Sequence, residues 1–491
     1  MTIRELMRGA EVTSFGGAED LEITGVTGDS RKVKPGFVFL CIAGTNADGH
    51  AYIGKAVESG AVAAIVEYIP EGCSIPCIVC PNTRLAASYV FSNWFGRPQD
   101  AMKMVGVTGT NGKTSTTYML RTIFEAAGKN AGVIGTIQIS WAGKSVDMGM
   151  TTPDPERLFG TLAQMRDDGV EYVFMEVSSH SLCLGRVAPI HFIASAYTNL
   201  TAEHLDFHKT MDEYAAAKEI LFTMSDVGVF CIDDPYVKAT ADKQLCKTYT
   251  ISTTIAADYM AEDISCESMS GVAYNLITPD HRTFKITCPI AGQFTVNNTM
   301  GAIALSMLLG IDESVITTAI ATMGGVPGRM ERVTPPQFPV NVIIDYAHTP
   351  DALENVIHAL LHARNPMQRL TVLFGCGGDR DKTKRPVMGE IATRLAERVI
   401  ITSDNSRSED PKAIINDIMA GIHRDKDITV FVDRRDAIAY AVATAQEQEI
   451  ILIAGKGHEN YEITKDGKHP FSEKDEVSKA LRARFGTDYC N

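Results

Sequence analysis

The sequence predicts an α/β protein of about three domains. Its 491 residues are roughly three times the ~150 residues of a typical domain. From about residue 101, apolar strand patterns alternate with helical patterns, which is typical of a parallel sheet covered by helices. Residues 324–329, rich in glycine and proline, interrupt this alternation, and the alternation then starts again. We therefore expect domains at about 1–100, 101–327 and 328–491.

Composition restricts the class of protein. Hydrophobic residues make up 45% and charged residues 22% of the chain, which is typical of a globular protein with several cores. The formal net charge of −14 argues against nucleic-acid and anionic-membrane partners. No apolar run approaches the ~20 residues of a membrane helix, and the N-terminus has no apolar core like that of a secretory signal. We expect a cytoplasmic monomer without a nucleic-acid partner or membrane insertion.

The eleven cysteines lie mostly inside apolar runs, which indicates reduced thiols. Cys73, Cys77 and Cys80 are close enough in sequence to suggest a zinc site. However, no fourth ligand lies nearby in the sequence, and residues 77–80 have the pattern of a buried strand. We therefore favour a structural role for these cysteines.

The first hundred residues predict a small α/β domain. A helical pattern covers residues 52–59 and ends at Gly60, and strand patterns cover residues 37–41, 62–66 and 77–80. Before them, residues 28–31 form the polar sequence Gly-Asp-Ser-Arg. This loop either holds a diphosphate or only makes a turn, and the residues alone support both interpretations equally.

A glycine-rich turn between a strand pattern and a helical pattern is the strongest motif of the chain. Gly109 and Gly112 allow backbone N–H groups to face an anion, and the helix N-terminus adds a positive dipole. Lys113 can reach the β- and γ-phosphates of a nucleotide, and the Thr114 hydroxyl can bind Mg²⁺. The general P-loop has a further glycine where this chain has Val107. An ordinary glycine-rich turn is the alternative, but it is less consistent with the Lys-Thr pair.

Further candidate residues occur in the central region. Glu176 ends an apolar strand pattern, where a carboxylate often holds Mg²⁺ in P-loop proteins; an acid at an exposed strand end is the alternative. Residues 178–180, Ser-Ser-His, lack a nucleophile elbow and suit substrate contacts. His204 and His208 are four residues apart, but the acid between them is misplaced for a zinc-protease motif. Lys218 lies on an alanine-rich apolar helix face, where a lysine normally extends to solvent.

The end of the central region contains strand patterns within residues 255–290 and a helical pattern over residues 298–309, which ends at Gly310. The linker at residues 324–329 follows. We expect this linker to separate the central domain from the last one.

After residue 327 the sequence predicts a second alternating unit, with strands at residues 340–344, 370–374, 399–402, 428–432 and 449–453. Four of these strands lead into polar loops, which begin at Asp345, Gly375, Ser403 and Ala454. In open α/β sheets, ligands bind beyond the carboxyl ends of the strands. The four loops therefore predict one binding site along a single edge of the sheet.

Six short motifs occur in order along the chain: Thr-Gly-Thr-Asn-Gly-Lys-Thr, Glu-Val-Ser-Ser-His, Asn-Leu-x-x-x-His-Leu-Asp, Val-Pro-Gly-Arg-Met-Glu, Asp-Tyr-Ala-His-Thr-Pro and Gly-Lys-Gly-His-Glu. With these motifs the chain resembles, over almost its whole length, the Mur ligases of peptidoglycan synthesis. Among them it resembles the branch that adds the third residue of the stem peptide. The resemblance implies an N-terminal domain for a uridine nucleotide, a central ATPase domain and a C-terminal Rossmann-like domain.

The resemblance also implies the reaction. In this family, ATP phosphorylates the D-glutamate carboxyl of UDP-N-acetylmuramoyl-L-alanyl-D-glutamate, and an amine then attacks the acyl phosphate through a tetrahedral intermediate. Because two anions have to approach each other, a lysine and Mg²⁺ are needed. The implied catalytic residues are Lys113, Glu176, His204 and Lys218, and the implied Mg²⁺ ligands are Thr114, Glu176, His204 and a carbamate on Lys218. The implied nucleotide contacts are Gly109, Thr110, Asn111, Gly112, Lys113, Thr114, Asn298, Arg329, Asp345 and His348.

Two further sets of residues follow from the resemblance. It implies that the UDP-sugar peptide binds at Ser30, Thr151, Thr152, Ser178 and Arg186. It implies that the incoming amino acid binds at Arg380, Asp404, Asn405, Ser406, Arg407, Gly455 and Glu459. The chain departs from some relatives at Leu184, where they have a glutamine, and at residues 292–298, where the usual Phe-Asn-Val-x-Asn is altered.

The incoming amino acid is expected to depend on residues 404–407, which are Asp-Asn-Ser-Arg. Family members that use meso-diaminopimelate carry Asp-Asn-Pro-Arg, so Ser406 replaces a rigid proline. The guanidinium of Arg407 can pair bidentately with the distal carboxylate of diaminopimelate, which lysine lacks. Glu459 can bind the distal ammonium. We therefore expect diaminopimelate as the substrate, with lysine as the alternative.

Two other functions fit parts of the sequence. Another Mur-type ligase, such as a folylpolyglutamate synthetase, fits the central motifs, but the N-terminal domain argues against it. A P-loop switch or binding module fits the phosphate loop alone, and it would hydrolyse nucleotide without any dependence on an amino acid.

Overall fold

The computed structural model describes residues 1–44, 48–146, 150–335, 338–422 and 427–486. The described residues form an α/β fold of three parts, each organised around its own main sheet. The predicted fold class is thus confirmed. None of the described helices combines the length and the apolar character that crossing a membrane requires.

The first part contains a parallel sheet with the strands β1 Gly25–Thr27, β2 Phe37–Leu40, β3 Ala61–Val66 and β4 Cys77–Val79, paired in that order. Its helices are α1 Ile3–Leu6, α2 Ile53–Glu58 and α3 Thr83–Trp94. Helix α2 is shorter than the predicted 52–59, because residues Gly49–Tyr52 form a 3₁₀ turn instead. Gly60 follows α2 with a positive φ of 98°, which favours glycine at this turn.

The second part is organised around one sheet of eleven strands. In chain order they are β5 Lys103–Thr108, β6 Ala131–Ile134, β7 Ile139–Trp141, β8 Lys144–Val146, β9 Tyr172–Glu176, β10 Ala194–Tyr197, β11 Val227–Cys231, β12 Lys247–Ser252, β13 Tyr259–Ser268, β14 Gly271–Ile277 and β15 Thr283–Cys288. Their spatial order is β15-β14-β13-β12-β11-β10-β5-β9-β6-β7-β8. The middle, from β13 to β6, is parallel, and antiparallel strands extend both edges. The sequence did not predict β7 and β8.

The helices of this part are α4 Lys113–Ala126, α5 Pro155–Asp167, α6 Ser179–Cys183, α7 Leu205–His208, α8 Met211–Thr223, α9 Pro235–Asp242, α10 Gln293–Leu308 and α11 Glu313–Thr322. The predicted start of α10 at residue 298 was wrong, since the helix begins at Gln293. Thr295 and Val296 are weak helix formers, but both are buried in the first turn. Packing therefore outweighs their local preference.

The third part contains a six-stranded sheet with the strands β16 Glu331–Arg332, β17 Asn341–Asp345, β18 Leu370–Phe374, β19 Arg398–Ile401, β20 Asp427–Val430 and β21 Ile450–Ala454. Their spatial order is β16-β17-β21-β18-β19-β20, and all pairs after the first are parallel. A hairpin follows, with β22 Tyr461–Thr464 and β23 Gly467–Pro470. The helices are α12 Pro350–Ala363, α13 Lys384–Leu395, α14 Pro411–Met419, α15 Arg434–Thr444 and α16 Glu473–Phe485.

The cysteines of the described residues are all free thiols, and six of these ten are buried. Cys490 lies outside the described residues. The Sγ atoms of Cys73 and Cys77 are 3.4 Å apart. Cys77 belongs to β4, as the strand pattern indicated.

Candidate active site

The phosphate loop connects β5 with α4 and depends on two glycines. Gly109 and Gly112 have φ values of 144° and 87°, a range that favours glycine. A Cβ atom at Gly109 would collide with the hydroxyl of Thr198, and one at Gly112 would collide with the amide oxygen of Asn298. The loop therefore has the close backbone packing of a phosphate-binding turn, and it places the predicted nucleotide contact Asn298 against Gly112.

Two lysines meet beside this loop. The ammonium group of Lys113 donates hydrogen bonds to the carbonyl oxygens of Gly109 and Thr110, both at 2.7 Å. Lys218, which is 1% exposed, donates to the same Gly109 carbonyl at 2.9 Å. Burial lowers the pKa of Lys113, and burial together with Lys113 places the pKa of Lys218 well below its usual value. Lys218 thus does not extend to solvent, which was the ordinary alternative.

Hard oxygen atoms lie close to these lysines. Glu176 is fully buried, and its carboxylate accepts hydrogen bonds from the backbone N–H and the hydroxyl of Thr136, both at 2.9 Å. The hydroxyl of Thr114 accepts a hydrogen bond from Arg329 at 3.1 Å. Carboxylate and hydroxyl oxygens are ligands that Mg²⁺ prefers, so the chemistry of these two side chains suits this ion. Among the described residues, no group of three or more His, Cys, Asp or Glu is placed to hold a metal.

A partly buried acid that sequence reasoning missed, Glu203, lies between a histidine of the second part and a histidine of the third part. Its carboxylate lies 3.7 Å from Nε2 of His204 and 3.7 Å from Nε2 of His348. Burial raises the pKa of Glu203, but these histidines together with Lys113 and Lys218 outweigh burial and bring the pKa below its usual value. Burial lowers the pKa of both histidines. In the sequence, the only indication of a role for Glu203 was its position next to His204 within the third motif.

The residues predicted to bind the UDP-sugar peptide converge on Thr152. Its hydroxyl donates to the backbone oxygen of Glu176 at 2.9 Å and accepts from the backbone N–H of Ser178 at 3.2 Å. Arg186 donates to the Thr152 carbonyl at 2.9 Å, and Thr151 contacts the hydroxyl of Thr136 at 3.0 Å. These bonds link the peptide-binding set directly to the strand that ends in Glu176.

Ser30 lies apart from this set, at the start of a short 3₁₀ turn. The turn is capped by Asp29, whose carboxylate also pairs with the guanidinium of Arg31 through two bonds of 2.9 Å. Arg31 therefore contributes to a turn, which was one of the two interpretations of residues 28–31. Ser30 itself is 9% exposed.

The third part supplies the remaining predicted nucleotide contacts. The guanidinium of Arg329 lies 4.6 Å from the ring centre of Tyr346 and reaches the phosphate loop through Thr114. The carboxylate of Asp345 accepts backbone N–H bonds from Met330 and Ala347, both at 2.7 Å. Asp345 thus holds the turn that carries Arg329, rather than presenting a free carboxylate.

The loops after β19 and β21 are joined by a buried lysine that was not predicted, Lys456. Its ammonium group donates to the amide oxygen of Asn405 at 2.8 Å and lies 3.4 Å from the carboxylate of Glu459. Asn405 in turn donates to Glu459 at 2.8 Å. Lys456 also lies 3.6 Å from Asp404, and a Cβ atom at Gly455 would come within 2.6 Å of the Asp404 carboxylate. Four predicted amino-acid contacts therefore form one network.

Arg407 adopts a left-handed backbone conformation, with a φ of 52°. Its N–H donates to the Ile463 carbonyl at 3.0 Å, and its guanidinium donates to the Gly378 carbonyl at 2.7 Å. Burial and the neighbouring Arg380 lower the pKa of Arg407. Ser406, in the preceding position, is 4% exposed.

These sets surround one cleft of about 1670 Å³. From the predicted residues, its walls contain Thr151, Thr152, Ser178, Arg186, His204, His348, Arg380, Asp404, Asn405, Arg407, Gly455 and Glu459. Other predicted residues are not among the described residues that form these walls: Ser30, the phosphate-loop residues 109–114, Glu176, Lys218, Asn298, Arg329, Asp345 and Ser406. The cleft thus brings the predicted peptide-binding set next to the predicted amino-acid set, with Glu203 and the two histidines between them.

Three protein-family models match the chain in sequence order. The Mur ligase family catalytic domain matches residues 22–79, the Mur ligase middle domain matches residues 107–306, and the glutamate ligase domain of Mur ligases matches residues 328–457.

Relatives and solved structures match over nearly the full length. A protein of Syntrophomonas wolfei is 39% identical over 99% of this chain and 100% of its own. A protein of Clostridioides difficile is 41% identical over 98% of this chain and 99% of its own. Both are named UDP-N-acetylmuramoyl-L-alanyl-D-glutamate–2,6-diaminopimelate ligase.

A solved structure of an enzyme with the same name is 31% identical and has a TM-score of 0.70, with 99% of this chain and 100% of that chain covered. MurF ligase from Thermotoga maritima in complex with ADP shares the fold, with a TM-score of 0.61 at 18% identity over 94% of this chain and 97% of that chain. Together with the sequence relatives, these matches establish that the chain belongs to the Mur ligase family.

Proposed function

We propose that this protein catalyses the MurE reaction of peptidoglycan biosynthesis. In this reaction, meso-2,6-diaminopimelate is joined to the D-glutamate carboxyl of UDP-N-acetylmuramoyl-L-alanyl-D-glutamate with the hydrolysis of ATP to ADP and phosphate. The observation that carries the proposal is that Thr151, Thr152, Ser178 and Arg186 line the same cleft as Arg407. The names of the full-length relatives support the same activity.

The chemistry explains why these sets of residues need to be close together. A carboxylate is a poor electrophile, so its oxygen first takes the γ-phosphoryl group of ATP and ADP leaves. The amine of diaminopimelate then attacks the carbonyl carbon of the acyl phosphate, loses a proton, and expels phosphate. Each step brings anions together, and fixed positive charges lower the barrier for such a step.

For the nucleotide, we propose that residues 109–114 bind the phosphates, with Lys113 facing the β- and γ-phosphates. Asn298 and Arg329 complete this part of the site, and Asp345 and His348 lie in the adenosine region. Mg²⁺ would be held by Thr114, Glu176 and His204 and would screen the phosphate charges. Burial lowers the pKa of His204, so its imidazole is neutral at pH 7 and can act as a metal ligand.

We propose that Lys218 is carbamylated and acts as the further Mg²⁺ ligand. Its amine is buried, and burial with Lys113 lowers its pKa far below the usual value, so an uncharged amine is available to attack CO₂. The N–C bond forms, one proton is released from the nitrogen, and the neutral amine becomes a carbamate anion with oxygen atoms that can bind Mg²⁺. We expect crystals of the active, Mg²⁺-bound enzyme grown with bicarbonate to show a carboxyl group on Nζ of Lys218. An unmodified Lys218 in that form would disprove this role.

For the other substrates, Thr151, Thr152, Ser178 and Arg186 would hold the peptide end of the UDP-sugar, and Ser30 would hold its nucleotide end. Diaminopimelate would bind with its distal carboxylate on Arg407 and Arg380 and its distal ammonium near Glu459. Burial raises the pKa of Glu459, and a bound ammonium would oppose this effect. We also propose a cytoplasmic monomer with domains at 1–100, 101–327 and 328–491.

The experiment that tests the proposal compares amino-acid acceptors in one phosphate-release assay. With Mg-ATP and the UDP-dipeptide present, we expect phosphate release with meso-diaminopimelate, much less with lysine, and almost none without an acceptor. Preferential use of lysine would assign the protein to the lysine-adding ligases instead. Equal ATP turnover without an acceptor would identify a nucleotide switch and would falsify the proposal.

A further inference from the structure

Two loops carry the arginines that face the amino-acid end of the cleft. Arg380 follows β18, and Arg407 follows β19. The backbone N–H of Gly378 donates to the Asn405 carbonyl at 2.9 Å, and the guanidinium of Arg407 donates to the Gly378 carbonyl. The positions of the two arginines are therefore coupled through direct bonds between their loops.

A second layer of bonds lies just beyond the arginines. Ser408 donates to the carboxylate of Asp379 from its hydroxyl at 2.6 Å and from its backbone N–H at 3.1 Å. The backbone N–H of Asp379 donates to the carboxylate of Glu409 at 2.7 Å. Each loop thus supplies a carboxylate that accepts a backbone N–H of the other.

Arg385 fixes the position of the Glu409 carboxylate through hydrogen bonds. The guanidinium of Arg385 is fully buried and donates to the two carboxylate oxygens of Glu409 at 2.9 and 3.0 Å. It also contacts Asp417 at 2.8 Å and the Gly377 carbonyl at 3.2 Å. Bidentate Arg–carboxylate pairs fix orientation as well as distance. The bonds from Arg385 lower the pKa of Glu409 to about 2, so Glu409 stays charged at neutral pH.

Two features of these loops oppose the close approach of their arginines. Arg380 and Arg407 carry like charges into the same cleft, and Arg407 adopts a backbone conformation that is unfavourable for a side chain other than glycine. In addition, Ser406 lacks the fixed φ that a proline would supply at that position. The charges and strain have to be offset by contacts elsewhere, and the bonds of Glu409 are placed to do this.

We propose that Glu409, held by Arg385, is a positioning residue that sets the spacing of Arg380 and Arg407 and thereby selects an acceptor with a distal carboxylate. The inference rests on the proposed function and adds a specificity determinant to it. Glu409 acts through the two arginines, so its loss affects recognition of the acceptor rather than phosphoryl transfer.

The test is the variant Glu409→Gln, compared with Glu397→Gln. Glu397 is a matched control because its carboxylate also accepts a bidentate pair, from Arg364 at 2.7 and 2.9 Å, and a backbone N–H, from Leu370 at 2.9 Å. Leu370 is the first residue of β18, whereas the loop of Arg380 follows its last residue. The Arg364–Glu397 pair therefore lies at the opposite end of this strand from the cleft. Because the side chain of Glu397 is 44% exposed and that of Glu409 is 16% exposed, the unfolding temperature of each variant is measured beside its kinetic constants.

We expect Glu409→Gln to raise the KM for diaminopimelate about tenfold, which corresponds to about 1.4 kcal/mol, while kcat and the KM values for ATP and the UDP-dipeptide change less than about twofold. The preference for diaminopimelate over lysine falls by the same factor, because lysine has no distal carboxylate to lose. Glu397→Gln leaves all these constants unchanged. Equal effects in both variants, or an unchanged KM for diaminopimelate, would overturn the inference.

A milder variant, Ser408→Ala, removes only the hydroxyl bond to Asp379. We expect a smaller rise in the same KM and no other change, so the inference can be tested even if Glu409→Gln does not fold. If the unmodified enzyme does not use diaminopimelate at all, the proposed function fails. If it does, and neither variant changes the KM, only this inference fails.

Discussion

Replacing Lys113 with alanine is expected to lower the rate of ATP-dependent product formation by about 100- to 1,000-fold, the usual cost of removing one preorganised charge or donor from a reacting site. The ammonium group is partly buried and donates hydrogen bonds to the carbonyls of Gly109 and Thr110. A bound nucleotide would exchange these neutral carbonyls for phosphate oxygens, which interact more strongly with a cation. The measurement is kcat with all three substrates saturating.

Lys129→Ala is the matched control for this prediction. Lys129 lies shortly after the end of the same helix, α4, and its ammonium group is 3.7 Å from the exposed carboxylate of Glu171. An exposed ion pair of this kind contributes little to stability. We expect Lys129→Ala to retain normal activity. If Lys113→Ala also keeps its activity, the phosphate loop is not the site of ATP use.

Replacing Arg407 with alanine is expected to reduce kcat/KM for diaminopimelate by about 30- to 1,000-fold, because truncating one member of a partly buried charge pair costs about 2–4 kcal/mol. The KM for ATP is expected to stay the same, since Arg407 contacts the loops of the third part and not the phosphate loop. Arg407→Lys keeps the charge but loses the bidentate fork, so we expect it to lose most of this activity as well.

Arg394→Ala serves as the control for this second prediction. Arg394 is exposed on α13 and pairs with Glu354 at 2.7 Å, outside the residues that form the cleft. Like Arg407→Ala, the variant Arg394→Ala removes one guanidinium group from the third part of the molecule. If Arg407→Ala left the KM for diaminopimelate unchanged, the assignment of the acceptor site would be wrong.

Local patterns predicted most of the fold. The apolar strands of the third part stand within one or two residues of their predicted positions, because a buried parallel strand is a short apolar run that leads into a polar loop. The β7–β8 hairpin was missed because its strands have only three residues each and show little periodicity. The early start of α10 was missed because burial, and not helix propensity, stabilises its first turn.

The candidate site was only partly predictable, since its decisive contacts join distant positions. Arg329 reaches Thr114 across 215 residues of sequence, and Asn111 donates to Asp351 across 240 residues. Glu203, Lys456 and Glu409 were missed for this reason. Each is a common charged residue in a loop, and only the folded chain shows what it contacts.

The central claim is that the carboxyl group of the UDP-dipeptide is activated by ATP and captured by an amine bound at the other side of the cleft. The acceptor comparison, run with a UDP-dipeptide labelled with ¹⁸O in the D-glutamate carboxyl, tests this claim most directly. The acyl phosphate retains one carboxyl oxygen on phosphorus, so released phosphate is expected to carry one ¹⁸O, in an amount equal to the amide product. Unlabelled phosphate, released at the same rate with or without diaminopimelate, would contradict the claim.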